Sequence, residues 1–326
     1  MMGSRTRRQL LLAALVSPAA FAARARPSWP SRPIDYIVPY PPGGTTDILG
    51  RSIAQGVEAE VRQSVIVENK HGATGTIGGA FVARARPDGY TILGTSIGPQ
   101  TIVPHLMKGL SYDPLTAYAP VVLVGTMPHV LVVAPKSEFR SVQELIAAAK
   151  RQPGRISFAS GGIGTILQIQ GELLRLQSGT TMLHVPYSGD VPAMQSVMAD
   201  QVNFAFLPLP AVLPQLQSGK LRALAVTAAT RLKELPQVPT MAQAGFKDFV
   251  VEQWQAVYAP AHTPAPVVRQ LNQAINQVIS QPSVATRFEQ LGVTIAGGAQ
   301  ERLARRQAAD YERWGRVIQA AHITMN

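Results

Sequence analysis

The stretch IDYIVPYPPGGTTD, residues 34–47, decides how this chain is read. Its first five residues form a short, mostly apolar run with one acid, the pattern of a strand covered on both faces. Prolines 39, 41 and 42 end that run, and Gly43-Gly44 turn the chain into Thr45-Thr46-Asp47, which open a helix expected over 46–60. Glycines let backbone N–H groups turn toward a ligand, hydroxyls add donors, and a helix N-terminus favours an anion. No Walker lysine follows, and Asp47 would repel a multiply charged phosphate, so the pattern favours a carboxylate. The plainer alternative is a Thr/Asp-capped helix after a Pro-Gly turn.

The same strand-to-helix unit recurs further along the chain. Further strands are expected at 65–68, 90–94, 155–160, 182–187, 202–207, 221–227 and 255–259. Helices are expected at 77–86, 141–151, 165–177, 190–199, 266–280, 283–291 and 299–320. Ser141 with Glu144 spells a capping box, and Thr263-Pro264-Ala265-Pro266 opens the helix at 266. Leu115 to Pro135 carries no formal charge. Its pieces VVLVG and VLVVA are β-branched and separated by Gly125 and Pro128, so two buried strands joined by a turn are expected there. Val202 to Gly219 is also uncharged, but Pro208, Pro210 and Pro214 break any spanning helix. Short apolar strands alternating with helices argue an α/β fold with mostly parallel sheets. A chain of 326 residues suggests two domains. No repeat or low-complexity linker separates them, so they should be joined by short crossings at 120–135 and 249–258.

Two more glycine–hydroxyl loops follow strands. Ser160-Gly161-Gly162-Ile163-Gly164-Thr165 follows one strand, and His71 to Gly78, with Thr74 and Gly75, follows another. Neither spells a dinucleotide fingerprint, G-x-G-x-x-G with its acid. Open α/β sheets bind ligands at this edge. The candidate ligand-binding residues are therefore Gly43, Gly44, Thr45, Thr46, Asp47, Thr74, Gly75, Ser160, Gly162, Gly164 and Thr165, with Thr95 and Ser96 at the end of a further strand. Gly94-Thr95-Ser96-Ile97-Gly98 also matches a nucleophile elbow. A secreted serine hydrolase using Ser96, with Asp113 or Asp190 and His262, is the alternative of another class. Pro99 and Pro104 fall where a hydrolase helix should run uninterrupted. His129 and His184 lie beside apolar strands and read as structural residues, and Trp254 reads as core.

Composition narrows the chemistry. The chain has no cysteine, which excludes disulfides, thiolate metal sites and Cys nucleophiles. Its six histidines are scattered without a close pair, so no metal is expected. Residues 1–22 contain Arg5, Arg7 and Arg8, then an apolar run from Leu10 to Val16, then Ala20-Phe21-Ala22, the three parts of a secretory signal peptide in order. Arg7-Arg8 leaves Sec and twin-arginine routes both open. Removing this segment takes three arginines and no acid from a net charge of +11, leaving +8. That charge is dispersed, with no aromatic-interleaved basic stripe, so it favours anionic solutes over nucleic acid. Outside the cytoplasm ATP and NAD are not routine, and no cofactor is expected.

The string PSRPIDYIVPYPPGGTTDILGR resembles the N-terminal signature of the periplasmic solute-binding proteins of tripartite tricarboxylate transporters, the Bordetella uptake gene (Bug) family. The likeness continues through VIVENKHGATGTIGGAFVARARPDGYTILGTS, LSYDPLTAYAPVVLV, HVPYSGDVPAM and SGKLRALAVTAATRLKELPQVPTMAQAG to YAPAHTPAPVV. It implies a two-domain, type II-like Venus-flytrap fold, each domain a mixed sheet flanked by helices. Domain 1 would be 27–127 plus 252–326, and domain 2 would be 128–251. The implied function is non-catalytic: a periplasmic protein, as a monomer, captures a small organic carboxylate and delivers it to the membrane permease subunits. A sensor presenting its closed form to a membrane receptor is the nearest alternative. The loops at Gly43–Asp47 and Ser160–Thr165 would grip the carboxylate, partly through water. This chain departs from the family pattern at Gln168, where relatives often carry His, at Ser188, where Lys is frequent, and at Leu207-Pro208, where many have Asp-Asn. If Leu207 and Pro208 face the ligand, they imply a preference for monocarboxylates with an apolar or aromatic tail.

Overall fold

The computed structural model describes residues 29–325. In chain order the first part is β1 (Ile34–Val38), α1 (Thr45–Val61), β2 (Val65–Asn69), α2 (Thr76–Ala83) and β3 (Thr91–Ser96). A π-helical turn (Gly98–Ile102) then leads into α3 (Val103–Leu106) and the long β4 (Tyr118–Val133). The middle part is α4 (Val142–Arg151), β5 (Ser157–Ser160), α5 (Ile166–Ser178), β6 (Leu183–Pro186), α6 (Asp190–Met198), β7 (Phe204–Pro208), α7 (Leu209–Gln217) and β8 (Arg222–Val226). The chain closes with β9 (Glu252–Pro260), α8 (Ala265–Ile279), α9 (Pro282–Gln290), β10 (Thr294–Ile295) and α10 (Gln300–Ala321).

Two expectations need correcting. The uncharged 115–135 stretch is one strand of 16 residues, not two joined by a turn. Gly125 and Pro128 are absorbed as irregularities because β9 pairs along β4 from Tyr118 to Pro128, with register shifts at Pro120/Val122 and Leu123/Gly125. The sheet is also mixed, as the family resemblance implied, rather than mostly parallel, as the alternation of strands and helices suggested. Pairs β1–β2, β1–β3, β5–β6 and β5–β7 are parallel, whereas every pairing of β4 and the β3–β9 pairing are antiparallel. The reason is topological. β4 and β9 both cross between the halves of the molecule, in opposite directions, and so meet head to tail.

β4 therefore belongs to two sheet portions at once. Its first part pairs with β9 and β10 beside β3, β1 and β2, and its last part, His129–Val133, pairs with β7 and β8 beside β5 and β6. Period-two alternation sets the cores on either side. Ile34, Tyr36 and Val38 pack with α1 and α8 residues such as Ile53 and Leu271, while Ile37 faces the opposite cluster, which includes Val82, Leu303 and Trp314. That second cluster runs on into the middle part through Phe158, Phe204 and Leu173. Both faces of the central strands such as β1, β3, β4 and β7 are thus covered, which is why they read as continuous apolar runs, whereas the edge strands β2 and β6 expose Ile66 and Leu183. Ser141 caps α4 as expected, with Glu144 N–H donating to Ser141 Oγ at 3.2 Å, but the Glu144 carboxylate reaches one residue further back than a capping box requires, accepting from Arg140 N–H at 2.6 Å. Among the described residues, no helix is long and apolar enough to cross a membrane.

Candidate functional site

The C-terminal ends of β1 and β3 carry one polar cluster. α1 starts at Thr45 with Gly44 as its N-cap, in extended conformation and without a side-chain cap. The first N–H groups of a helix have no intrahelical partner, so this 17-residue helix presents open donors at its N-terminus. Behind it the loop is braced. Asp47 Oδ2 accepts from Gly43 N–H at 2.9 Å and from Arg51 Nε at 3.0 Å, and its Oδ1 accepts from Asn69 Nδ2 at 2.8 Å. Burial pushes the Asp47 carboxyl up, but Arg51, the Gly43 N–H and Asn69 together hold it below its ordinary value. Asp47 and Gly43 N–H thus shape the loop, and both are used up within it. Gly43, at φ +84°, takes a left-handed turn that favours glycine.

Thr46 and the β3 end join through side chains that no local sequence pattern marks. Thr46 Oγ1 donates to Gln255 Oε1 at 2.9 Å, and Tyr40 and Ser96 share a hydroxyl–hydroxyl bond of 2.7 Å. Gln255 sits on β9 in register with Ser96 on β3 and Gly125 on β4. Gln255 Nε2 and Thr95 Oγ1 are buried without a partner among the described residues. Gly75 joins this cluster as packing: a Cβ there would meet Pro99 and Pro39. Thr74 is exposed in the left-handed region at φ 55°. Ser96 is bonded to Tyr40, with no histidine or acid on its hydroxyl among the described residues, so the elbow pattern lacks a base. The following segment is helical despite Pro99 and Pro104, each of which falls at the first or second position of its helical turn.

The C-terminal end of β5 carries the second cluster. Ser160 is buried, and its Oγ donates to Gly162 O while accepting from Gly162 N–H, both at 3.2 Å. Thr165 caps α5: its Oγ1 donates to Gly162 O at 2.7 Å and accepts from Gln168 N–H. Gln168 Oε1 accepts from Gly164 N–H at 2.8 Å. His184 Nε2 lies 2.7 Å from Ser160 Oγ, and Gln168 Nε2 lies 3.4 Å from His184 Nδ1. Burial lowers the His184 pKa to about 4, so the ring is neutral at pH 7. With the Gln168 amide donating to Nδ1, the ring donates from Nε2 to Ser160. His184 is structural, as its place beside an apolar strand suggested.

Both threonine hydroxyls therefore spend their protons inside the protein, and the donors left for an anion are backbone N–H groups together with Gln255 Nε2 and the Thr95 hydroxyl. The expectation for Leu207 fails. It is fully buried in the core, paired with Val130, because β7 lies between β4 and β5 with both faces covered. Pro208 is half-buried and caps α7. Gln255 is the residue the sequence reading missed, and it had one legible signal, an uncharged polar side chain at a position whose neighbours read as core; Gln168, marked there only as a departure from the family pattern, braces the second loop. Among the described residues no hydrogen bond joins the first cluster to the second. Residues 41–44 of the first loop, Ile163 of the second and Val191 of α6 are exposed. Among the described residues no group of three or more metal-ligating side chains is assembled.

The chain matches the family model described as tripartite tricarboxylate transporter family receptor over residues 49–323. A protein from the tcbD-tcbE intergenic region of Pseudomonas sp. strain P51 is 38% identical over 98% of this chain and 96% of its own length. Three solved structures are similar throughout. The periplasmic binding protein BugD is 34% identical with a TM-score of 0.76, covering 91% of this chain and 100% of its own. Rpa4515 of R. palustris with adipate is 31% identical with a TM-score of 0.79, covering 91% and 99%. MatC of Rhodopseudomonas palustris with bound malate is 30% identical with a TM-score of 0.76, covering 89% and 99%. The architecture is that of these two-domain periplasmic binding proteins, and the matched proteins are solute-binding receptors rather than enzymes.

Proposed function

Because the chain belongs to the tripartite tricarboxylate transporter receptor family, we propose that it captures a small organic carboxylate between its two halves and delivers it to the membrane permease of such a transporter. The halves are domain 1, residues 27–127 with 252–326, and domain 2, residues 128–251. They meet at the β4 and β9 crossings and work as a monomer. The supporting observation is the pair of rigid loops at the C-terminal ends of β1 and β5, each leading into a helix N-terminus. Two relatives of this fold carry adipate and malate, both carboxylates. Thr45 and Thr46 N–H from one loop and the first N–H groups of α5 from the other would close on the carboxylate. Gly44, Gly162 and Gly164 let backbone come close, and Thr46, Asp47, Ser96, Ser160 and Thr165 hold the loops in shape. Tail preference is set elsewhere than Leu207.

A thermal-shift screen of mono-, di- and tricarboxylates tests the reading, since a ligand bound only by the folded state raises stability as RT ln(1 + [L]/Kd). Thr45→Pro then tests the cradle. Proline is tolerated at the first helical position, and Gly44 at φ −76°, ψ 166° already has the extended conformation a following proline needs. The variant should melt like the wild type yet lose one donor to a charged group, which costs about 1.5–3 kcal/mol of affinity. Equal affinity in both proteins would move the carboxylate away from α1. Export is expected to remove residues 1–22, which lie outside the described residues; N-terminal sequencing of the secreted protein should start near Ala23.

A further inference from the structure

Beside the second loop stands a carboxylate without a partner. Residues 160–165 and 187–189 are uncharged, and Asp190 follows at the first position of α6, with Gly189 as its N-cap. The two segments lie side by side, with Tyr187 N–H donating to Ser160 O at 2.9 Å. Asp190 Oδ1 rests on Gly161, where an added Cβ would collide with it and sit 3.2 Å from Asp190 N. Glycine at 161 is thus the seat of this carboxylate. Asp190 is exposed as a residue, yet protein surrounds its carboxyl closely enough to raise it above its ordinary value. Among the described residues no hydrogen bond or ion pair engages it, and no charged neighbour offsets its burial. β5, β6 and β7 run parallel, and Pro208 at the end of β7 pairs with His129, where β4 enters this sheet portion. Asp190 therefore stands at the sheet edge turned toward the first half.

The other charges of the two loops are already spent. Of residues 40–47 only Asp47 is charged, and Arg51 and Asn69 take up its carboxylate. His184 is neutral at pH 7. Neither loop offers a cation to a second anionic group, whereas Asp190 offers an unpaired anion. We propose that Asp190 sets the ligand class, selecting carboxylates that carry a cationic ammonium group and rejecting dicarboxylates. This inference rests on the proposed capture between the halves. A ligand whose carboxylate is held by the α1 and α5 N–H groups has its far end at the same sheet edge, in the field of Asp190. An ammonium group there donates a charge-assisted hydrogen bond to Asp190. A second carboxylate is repelled, since two like charges sharing a partly desolvated site disfavour each other. Adipate and malate, which two relatives carry, would then be poor ligands of this chain.

The test uses two series of probes that differ only at the far end: pentanoate, 4-aminobutyrate and glutarate, then hexanoate, 5-aminopentanoate and adipate. In each, the wild type should bind the ammonium member most tightly and the dicarboxylate least. Asp190→Asn keeps the shape and deletes the charge. It should weaken the ammonium members and tighten the dicarboxylates, shrinking the ratio between them about three- to tenfold. Pentanoate and hexanoate should bind the two proteins alike, which a merely structural role for Asp190 would not give. Added salt should shrink the ratio in the wild type and leave it unchanged in the variant. Melting of the ligand-free variant controls for its place at the start of α6. A preference that Asp190→Asn does not move, or wild-type protein that favours glutarate and adipate over their ammonium counterparts, overturns the role of Asp190 and leaves the capture reading intact. If no mono-, di- or tricarboxylate binds at all, the capture reading falls and this one falls with it.

Discussion

Trp254→Ala is expected to lower the unfolding free energy by about 3–5 kcal/mol, a large fraction of the total for a globular protein. Trp254 is fully buried on β9, the strand that re-enters the first half, in register with Thr126 of β4. Its indole Nε1 donates to Asp310 Oδ2 at 2.9 Å, and the same oxygen accepts from Arg306 Nε at 2.7 Å. Alanine leaves a cavity between β9 and α10 and removes one donor from a buried carboxylate. Trp254→Phe separates the two effects, since it keeps much of the volume and deletes only the donor; it should cost about 1–3 kcal/mol. Urea midpoints of both variants provide the measurement. A Trp254→Phe loss as large as that of alanine would mean the hydrogen bond, and not the packing, carries the hinge.

Acid should weaken the fold before ordinary carboxylates titrate. His129, fully buried on β4, accepts from Gln170 Nε2 at Nδ1 over 2.9 Å, and burial lowers its pKa to about 3. His184 behind the β5 loop is lowered to about 4 by the same cause. In the unfolded chain both titrate near 6.5. The folded state therefore binds fewer protons in this window. The stabilisation is complete above pH 6.5 and is lost as pH falls toward the folded values. Between pH 7 and pH 5 His129 should account for a loss of roughly 2 kcal/mol, and half-buried His184 for less. Urea midpoints measured across that range for the wild type and His129→Leu provide the check. A wild-type midpoint flat from pH 7 to pH 5 would falsify the assignment of both rings as buried and neutral.

The local units of this protein were legible in its sequence because they rest on local chemistry. Apolar runs of five or six residues give β1, β3 and β7, and the Ser141 and Thr165 caps start α4 and α5 where their side chains reach the third N–H onward. The glycine loops at 43–44 and 160–165 were recognisable because the left-handed turns they need favour glycine. Tertiary structure decided the rest. Whether 115–135 makes two strands or one depends on β9, a partner more than 120 residues away, whose pairing carries β4 straight through Gly125 and Pro128. Whether the Thr46 hydroxyl faces a ligand depends on Gln255, which arrives on that same strand. Leu207 was misplaced for the same reason: a strand's period says which residues share a face, but only the neighbours packed on each face decide which of them meets water.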